Sequence, residues 1–247
     1  MSNRSYSYSD YSSALTCLRK YKLIKIDQLV PQVPHSADME FGTAMHAAVN
    51  ACLRNDEYLD VFNMYWDDAS NKDLAYGRFN WVELGKLGHE FLRKFKGRYA
   101  DDFKPISMEK RLFSVYKGIR LEGTPDFVGK YRDSLVVVDW KTSNSNYDKQ
   151  RAAVGLQLWL YAYLAVSTFP DFRPTQLLYL VFNKGTGSLQ TPVTVEFTMP
   201  KMFDALDNMV QYLKTVDKET VFAKNYNGCI VGSMRCPYWT TCHGSDK

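Results

Sequence analysis

The sequence has no run of about 18 or more apolar residues, so no transmembrane helix and no membrane partner are expected. Its opening, MSNRSYSYSDYSSALTC, lacks the charged-then-apolar pattern of a secretory signal, which points to an intracellular protein. Cysteine is scarce, five in 247 residues. In a reducing compartment these read as thiols or metal ligands rather than a disulfide framework. A strong charge of one sign is also missing. The net charge of +4 is compatible with a polyanionic partner and is too small to argue for one. There is no internal repeat and no low-complexity segment, which removes solenoids and disordered tails from consideration.

What is present is the composition of an ordered globular protein: 45% hydrophobic, 15% aromatic and 23% charged. The length suits one large domain, or a core carrying an elaborate insertion. SDYSSALTCLRKYKL reads as a helix start capped by Ser9 or Asp10, and VPQVPHSAD as a Pro-containing loop. FGTAMHAAVNACLRN places Phe41, Met45, Ala48, Val49 and Cys52 at helical spacing. Residues 56–104 read as helical, aromatic and charged, a separate lobe or cap. From Ser107 the period changes to that of strands. SMEKRLFSVY, IRLEGTPDFVGKY and SLVVVDWKT are three expected strands, with tight turns at Lys117-Gly118 and Arg132-Asp133. NYDKQRAAVGLQLWLYAYLAVSTF follows as one amphipathic helix. TQLLYLVFN and TPVTVEFTM are two further strands, and PKMFDALDNMVQYLKTVDK is a helix started by Pro200.

The apolar run Leu135–Val138 ends in Asp139, Trp140 and Lys141. In a strand, Asp139 and Lys141 share a face while Trp140 points away. Asp126 lies one hairpin upstream, so the neighbouring strand can carry it alongside. Two carboxylates and a lysine converging there are costly to bury unless something charged binds between them. A divalent cation suits such hard oxygen donors. A lysine beside it would orient an attacking water and neutralise charge on a phosphoryl group. The bland alternative, that Asp139 and Lys141 end a strand in solvent, stays open on this motif alone.

Pro125-Asp126, twelve residues, then Asp139-x-Lys141 resembles the core signature of the PD-(D/E)XK nuclease superfamily. More specifically, the chain resembles its RecB-like branch, which includes phage exonucleases and CRISPR-adaptation nucleases. Gly42-Thr43-Ala44-Met45-His46 looks like the G-x-x-x-H helix, Gly123-Thr124-Pro125-Asp126 like the G-x-x-D turn, and Gln157-Leu158-Trp159-Leu160-Tyr161 like the Q-x-x-x-Y helix. Each motif is weak alone; four in order at this spacing are specific. The resemblance implies an α/β, restriction-endonuclease-like core: a central mixed sheet flanked by helices, with 53–105 as an inserted helical lobe and 223–247 as a cysteine-rich tail packed with the N-terminal helix. It implies one or two Mg²⁺ or Mn²⁺ ions held by His46, Asp126 and Asp139, with the Trp140 carbonyl completing the shell. Lys141 would position or activate the water, and Gln157 and Tyr161 would contact DNA. Glu109 matches an accessory glutamate, though a solvated strand position explains it equally well.

Cys17 lies near the N-terminus, and Cys229, Cys236 and Cys242 crowd the other end. Sulfur ligands select zinc or iron–sulfur clusters. One distant cysteine and a C-terminal trio resemble the iron–sulfur staple of several RecB-like nucleases, here a 4Fe-4S cluster, with Zn²⁺ as the alternative. Six residues separate Cys229 from Cys236, against two in the family, which makes Cys229 the weakest ligand and His243 a substitute in a zinc site. Unrelated free thiols are the remaining reading, and Cys52 is taken as an ordinary buried thiol. The expected activity is a metal-dependent DNA exonuclease working on single strands or free ends in recombination, repair or phage DNA processing, with a helicase or recombination partner. A CRISPR-adaptation-type end-trimming nuclease and a catalytically idle iron–sulfur DNA-binding subunit are the competing readings.

Overall fold

The computed structural model describes residues 4–31, 36–71, 74–231 and 234–244, so part of the expected Pro-containing loop, 32–35, lies outside the described residues. The chain opens with strand β1 (Ser5–Tyr6) and helix α1 (Tyr8–Thr16). The cap of α1 is Ser7, earlier than Ser9 or Asp10. Its Oγ accepts from the Asp10 N–H while the Asp10 carboxylate accepts from the Ser7 N–H, a reciprocal box that satisfies two orphan donors. After a break at Cys17 come α2 (Leu18–Tyr21) and a π-helical turn over Lys22–Ile26. Helix α3 (Ala37–Arg54) buries Phe41, Met45, Ala48, Val49 and Cys52 on the expected stripe, and stops at Asn55 with a left-handed φ of 63°. Helices α4 (Tyr58–Tyr65), α5 (Asp68–Asn71) and α6 (Trp81–Arg98) follow, the last started by an Asn80–Glu83 capping box.

The three expected strands are five: β2 (Phe103–Met108), β3 (Leu112–Tyr116), β4 (Ile119–Gly123), β5 (Phe127–Tyr131) and β6 (Ser134–Ser143). SMEKRLFSVY breaks at Glu109, whose φ is 49°. IRLEGTPDFVGKY breaks at Thr124 and Pro125, because proline has no N–H to give a ladder. The Lys117-Gly118 turn forms as expected, with φ of 47° and 80° at its two residues. The expected long helix divides at Gly155 into α7 (Lys149–Ala153) and α8 (Leu156–Thr168). At Gly155 a side chain would strike the Tyr179 hydroxyl. Strands β7 (Gln176–Asn183), β8 (Ser188–Leu189) and β9 (Val193–Glu196), helix α9 (Met199–Val216), the short pair β10 (Ile230–Val231) and β11 (Met234–Arg235), and α10 (Trp239–His243) complete the chain.

The breaks sort the strands into two sheets. The large one runs β2-β5-β6-β7-β8, with β9 also on β7, and the small one runs β1-β4-β3. β6 is antiparallel to β5 and parallel to β7, the parallel step being crossed by α7 and α8. Alternation along β6 feeds two cores. Val137 faces α8, α9 and the small sheet, whereas Val136, Val138 and Trp140 face α3, α4 and α6. Each fully buried side chain of that strand contributes about 1.5–3 kcal/mol. This is the expected mixed α/β core with helices on both faces. The helical segment after α3 does not hold its aromatics apart. Phe62, Trp66, Phe91 and Phe95 belong to the same core as Trp140 and Phe182, and Tyr65, at 45% exposure, is the aromatic of that segment left most open.

Candidate active site

Pairing of β5 with β6 ends at Phe127 opposite Val138, while β6 continues to Ser143 beside β7. Beyond Val138 the β5-facing edge of β6 therefore has peptide groups with no ladder partner. Asp126, in the turn entering β5, fills the gap: its Oδ2 accepts the Trp140 N–H at 2.7 Å. From α3, His46 Nε2 lies 2.9 Å from the Trp140 carbonyl oxygen. Donation there leaves Nδ1 facing Asp126 Oδ1 at 3.4 Å and Glu109 Oε1 at 3.7 Å. Burial alone would lower the His46 pKa, but the Asp126 and Glu109 carboxylates outweigh it and raise it from 6.5 to about 10.

His46, Glu109 and Asp126 offer three ligand atoms within 4.8 Å of one another, a candidate cation site. Glu109 reaches it from the end of β2. Its left-handed backbone costs about 1–2 kcal/mol for a non-glycine residue and is held by its N–H donating to the Pro125 carbonyl. Asn50 Nδ2 donates to Glu109 Oε1 at 3.2 Å and steadies the carboxylate. Sequence reasoning passed over Asn50, although it lies four residues after His46 on one helix face.

Asp139 is 1% exposed on the α8 side of β6. Lys141 Nζ lies 2.7 Å from Asp139 Oδ2, an ion pair withdrawn from solvent. Burial pushes the Asp139 pKa up, and Lys141 only partly offsets it. Burial acts to lower the Lys141 pKa; Asp139 prevails and raises it, so the amine stays an ammonium. Lys141 donates to Gln157 Oε1 at 2.9 Å, and Gln157 Nε2 donates to the Tyr161 hydroxyl at 2.9 Å. Asp126, Asp139, Lys141, Gln157 and Tyr161 are thus brought together as their order predicts, with Glu109 added.

A cation fits this donor set. The oxygens are hard, one nitrogen joins them, and three ligand atoms from different elements already converge on one point. Two clefts flank the cluster. One, of about 630 Å³, lies along α3 and α4 and includes His46 and Glu109. The other, of about 240 Å³, includes Ser7, Arg111, Gly123, Gln157 and Tyr161.

The cysteines assemble elsewhere. Cys17, Cys229, Cys236, Cys242 and His243 line one small recess. Between Cys229 and Cys236, β10 and β11 pair antiparallel, and the Cys236 N–H donates to the Cys229 carbonyl at 2.7 Å. The unusual spacing is therefore no obstacle to Cys229 joining the others. Cys229 Sγ also lies 3.5 Å from His243 Nε2. The tail is tied to the N-terminal helices by Arg19 N–H to the Ala223 carbonyl and by the Tyr238 hydroxyl to the Leu29 carbonyl. Cys52 is buried in the α3 core, away from both sites.

No helix among the described residues is long and apolar enough to cross a membrane. A solved structure, of a Eubacterium rectale protein bearing the name "Putative exonuclease", is similar in fold. It shares 11% identity, with 87% of this chain and 80% of that chain covered and a TM-score of 0.61. The solved structure of SSO0001, 15% identical over 79% of this chain and 84% of that chain, has a TM-score of 0.30. No curated protein sequence matches. The model of the PD-(D/E)XK nuclease superfamily matches residues 5–243, nearly the whole chain and every element that builds the cluster around Asp126, Asp139 and Lys141: this chain belongs to that superfamily and is a nuclease.

Proposed function

We propose that the chain is a divalent-metal-dependent DNA exonuclease of the RecB-like branch, preferring single strands or free ends. The observation that carries the chemistry is the convergence of His46, Glu109 and Asp126 ligand atoms within 4.8 Å of one another, beside the buried Asp139–Lys141 ion pair. His46, Asp126 and Asp139 would hold Mg²⁺ or Mn²⁺, with Glu109 accessory and a lone pair of the Trp140 carbonyl available. A bound ion supplies Lewis-acid polarisation of the phosphate and a more acidic water. His46 keeps its Nε2–H on the Trp140 carbonyl, which orients Nδ1 as a ligand once its proton leaves. Lys141, as an ammonium, orients the attacking water and stabilises charge on the phosphoryl oxygens; it does not take the water's proton. Gln157 fixes Lys141 from the other side. Burial raises the Tyr161 pKa, so its neutral hydroxyl remains a donor for the substrate strand.

The intact acid–lysine set disfavours the idle DNA-binding subunit. The exonuclease preference rests on the RecB-like motifs and on two clefts that lead to the cluster from either side, a geometry suited to threading a strand. The 53–105 segment is proposed as the family's inserted lobe, here fused into the core of one domain spanning 1–247. For the recess of Cys17, Cys229, Cys236 and Cys242 we propose a 4Fe-4S cluster that staples the 223–247 tail to the N-terminal helices. A single zinc, with Zn–S of about 2.3 Å, would draw its sulfurs close together. Zinc is the alternative, with His243, whose Nε2 lies 3.5 Å from Cys229 Sγ, as a further ligand. An intracellular role in recombination, repair or phage DNA processing, beside a helicase or recombination partner, completes the proposal.

End-labelled linear single strands and circular single strands, incubated with Mg²⁺ or Mn²⁺, test it. Shortening of linear strands with circles intact supports an exonuclease, and cut circles replace it with an endonuclease. Lys141→Ala or Asp126→Ala that degrades DNA as fast as the native protein sinks the assigned chemistry.

A further inference from the structure

Helix α4 carries two apolar stripes. Phe62 and Trp66 are fully used in the core against α3 and α6. Val61, Met64 and Tyr65, at the i, i+3 and i+4 positions that share a helix face, line the α3–α4 cavity instead. Met64 is 65% and Tyr65 45% exposed. A short helix that spends its second stripe on an uncovered wall leaves that wall for something else to cover. The opposite wall is the small-residue face of α3, Gly42, Ala47 and Ala51, which lets a flat group approach closely. The cavity opens beside His46 and Glu109, so whatever fills it is covalently near the reacting phosphate.

The walls suit an uncharged occupant. Glu109 and Asp56 line the cavity together with Arg54 and His46, so there is no excess of positive charge to hold a phosphate. The apolar stripe and the exposed Tyr65 ring instead offer a surface for a neutral planar base. At about 630 Å³ the space falls within the ~300–1,000 Å³ typical of small-molecule sites. We propose that the α3–α4 cavity is a nucleobase subsite: one unstacked base of the substrate strand enters it and stacks on Tyr65, fixing the register of the strand over the acidic cluster. Aromatic stacking accepts every base, so the subsite grips a single strand without reading its sequence. A base still paired in a duplex cannot enter. The subsite thus supplies the single-strand preference of the proposed nuclease and rests on that reading.

Two measurements test it independently. In EDTA, binding of a fluorescein-labelled oligothymidylate is followed by anisotropy for the native protein, Tyr65→Ala and Tyr65→Phe. The expected result is a roughly 5- to 150-fold weaker Kd for Tyr65→Ala, the range for losing one stacked base, with Tyr65→Phe close to native. Equal binding by all three, or equal loss in Tyr65→Phe, overturns the subsite even if the protein proves to cleave nothing. With Mn²⁺, a single abasic nucleotide is walked along the strand. One position should slow the native protein and leave Tyr65→Ala indifferent; a profile identical in the two proteins overturns it. Absence of cleavage by the native protein sinks the nuclease chemistry, and the binding measurement then decides the subsite alone.

Discussion

The acidic fork and the cysteine recess both gather ligand-type residues from distant parts of the chain, but the fold holds them in opposite ways. At the fork, every group is braced before any ion arrives. Asp126 is tied to the Trp140 N–H, His46 faces the Trp140 carbonyl, Glu109 is tied to Asn50, and Lys141 to Gln157. These ties rest on long elements of the two cores. At the recess, two-residue strands and a five-residue helix carry the thiols, and the cysteines are half-exposed. The contrast separates two uses of a bound metal. The fork is preorganised, as the proposed catalytic ion would require; the recess would gain its shape from what it binds.

Four substitutions set the two against each other. The largest effect falls at the fork: Asp139→Asn should cut nuclease turnover at least ~10²–10³-fold, as removal of one preorganised electrostatic group does. The melting temperature should stay level or rise, because the folded state disfavours this buried carboxylate's charge. A large fall in melting temperature would break the contrast. Cys236→Ser should do the reverse. It should lose iron and visible absorption and lower the melting temperature by roughly 5 °C or more, given about 2–4 °C per kcal/mol for a chain of this size. A native protein free of iron removes the cluster from the comparison.

Gly123→Ala sharpens the claim that the fork is preset. A Cβ there would lie 2.8 Å from Tyr161 Cε1 and 3.1 Å from Leu164 Cδ1. The expected result is ~1–3 kcal/mol of destabilisation by denaturant titration and a ~10–100-fold drop in turnover, as the Gln157–Tyr161 pair shifts away from Lys141. The smallest effect belongs to the N-terminal strand. Burial acts to raise the Glu122 pKa, but Ser5 and Arg111 outweigh it and lower it. A depressed carboxylate stabilises above its unfolded pKa and loses that contribution as pH falls through the lower folded value. Acid titration of stability should therefore show a shallower decline below pH ~4.5 in Glu122→Gln than in the native protein.

Periodicity sufficed for α3 and α9, each with a continuous buried stripe, and an unbroken apolar run sufficed for β6 and β7, which are buried on both faces. Both failed where backbone geometry, not side-chain pattern, decides. Glu109 interrupts what looks like one strand only because its φ is positive, and no residue preference announces that in a glutamate. The run through Gly123 to Asp126 looked extended, yet Pro125 sends its two halves into different sheets. Spacing puts Asp139 with Lys141 and Gln157 with Tyr161 on shared faces, but only the resemblance to the superfamily's motifs marked the four as a site. Asn50 and the central place of Glu109 were not legible, since they meet only through the packing of α3 on the end of β2. The segment 56–104 read as a separate lobe or cap, but Phe62, Trp66, Phe91 and Phe95 pack into one core with Trp140 and Phe182.

Trp140 gives the fork a mechanical property. Its indole is wedged among Phe95, Phe103 and Phe127, while the N–H and carbonyl on either side of its Cα receive Asp126 and His46. The proposed centre therefore takes its alignment from two peptide planes that meet at one Cα, whose side chain is clamped in an oily vise. A flaw in that vise, such as a smaller residue at 140 or a hollow left at Phe103, would reach the proposed site as a rotation of Asp126 and His46. No charged group would have been touched.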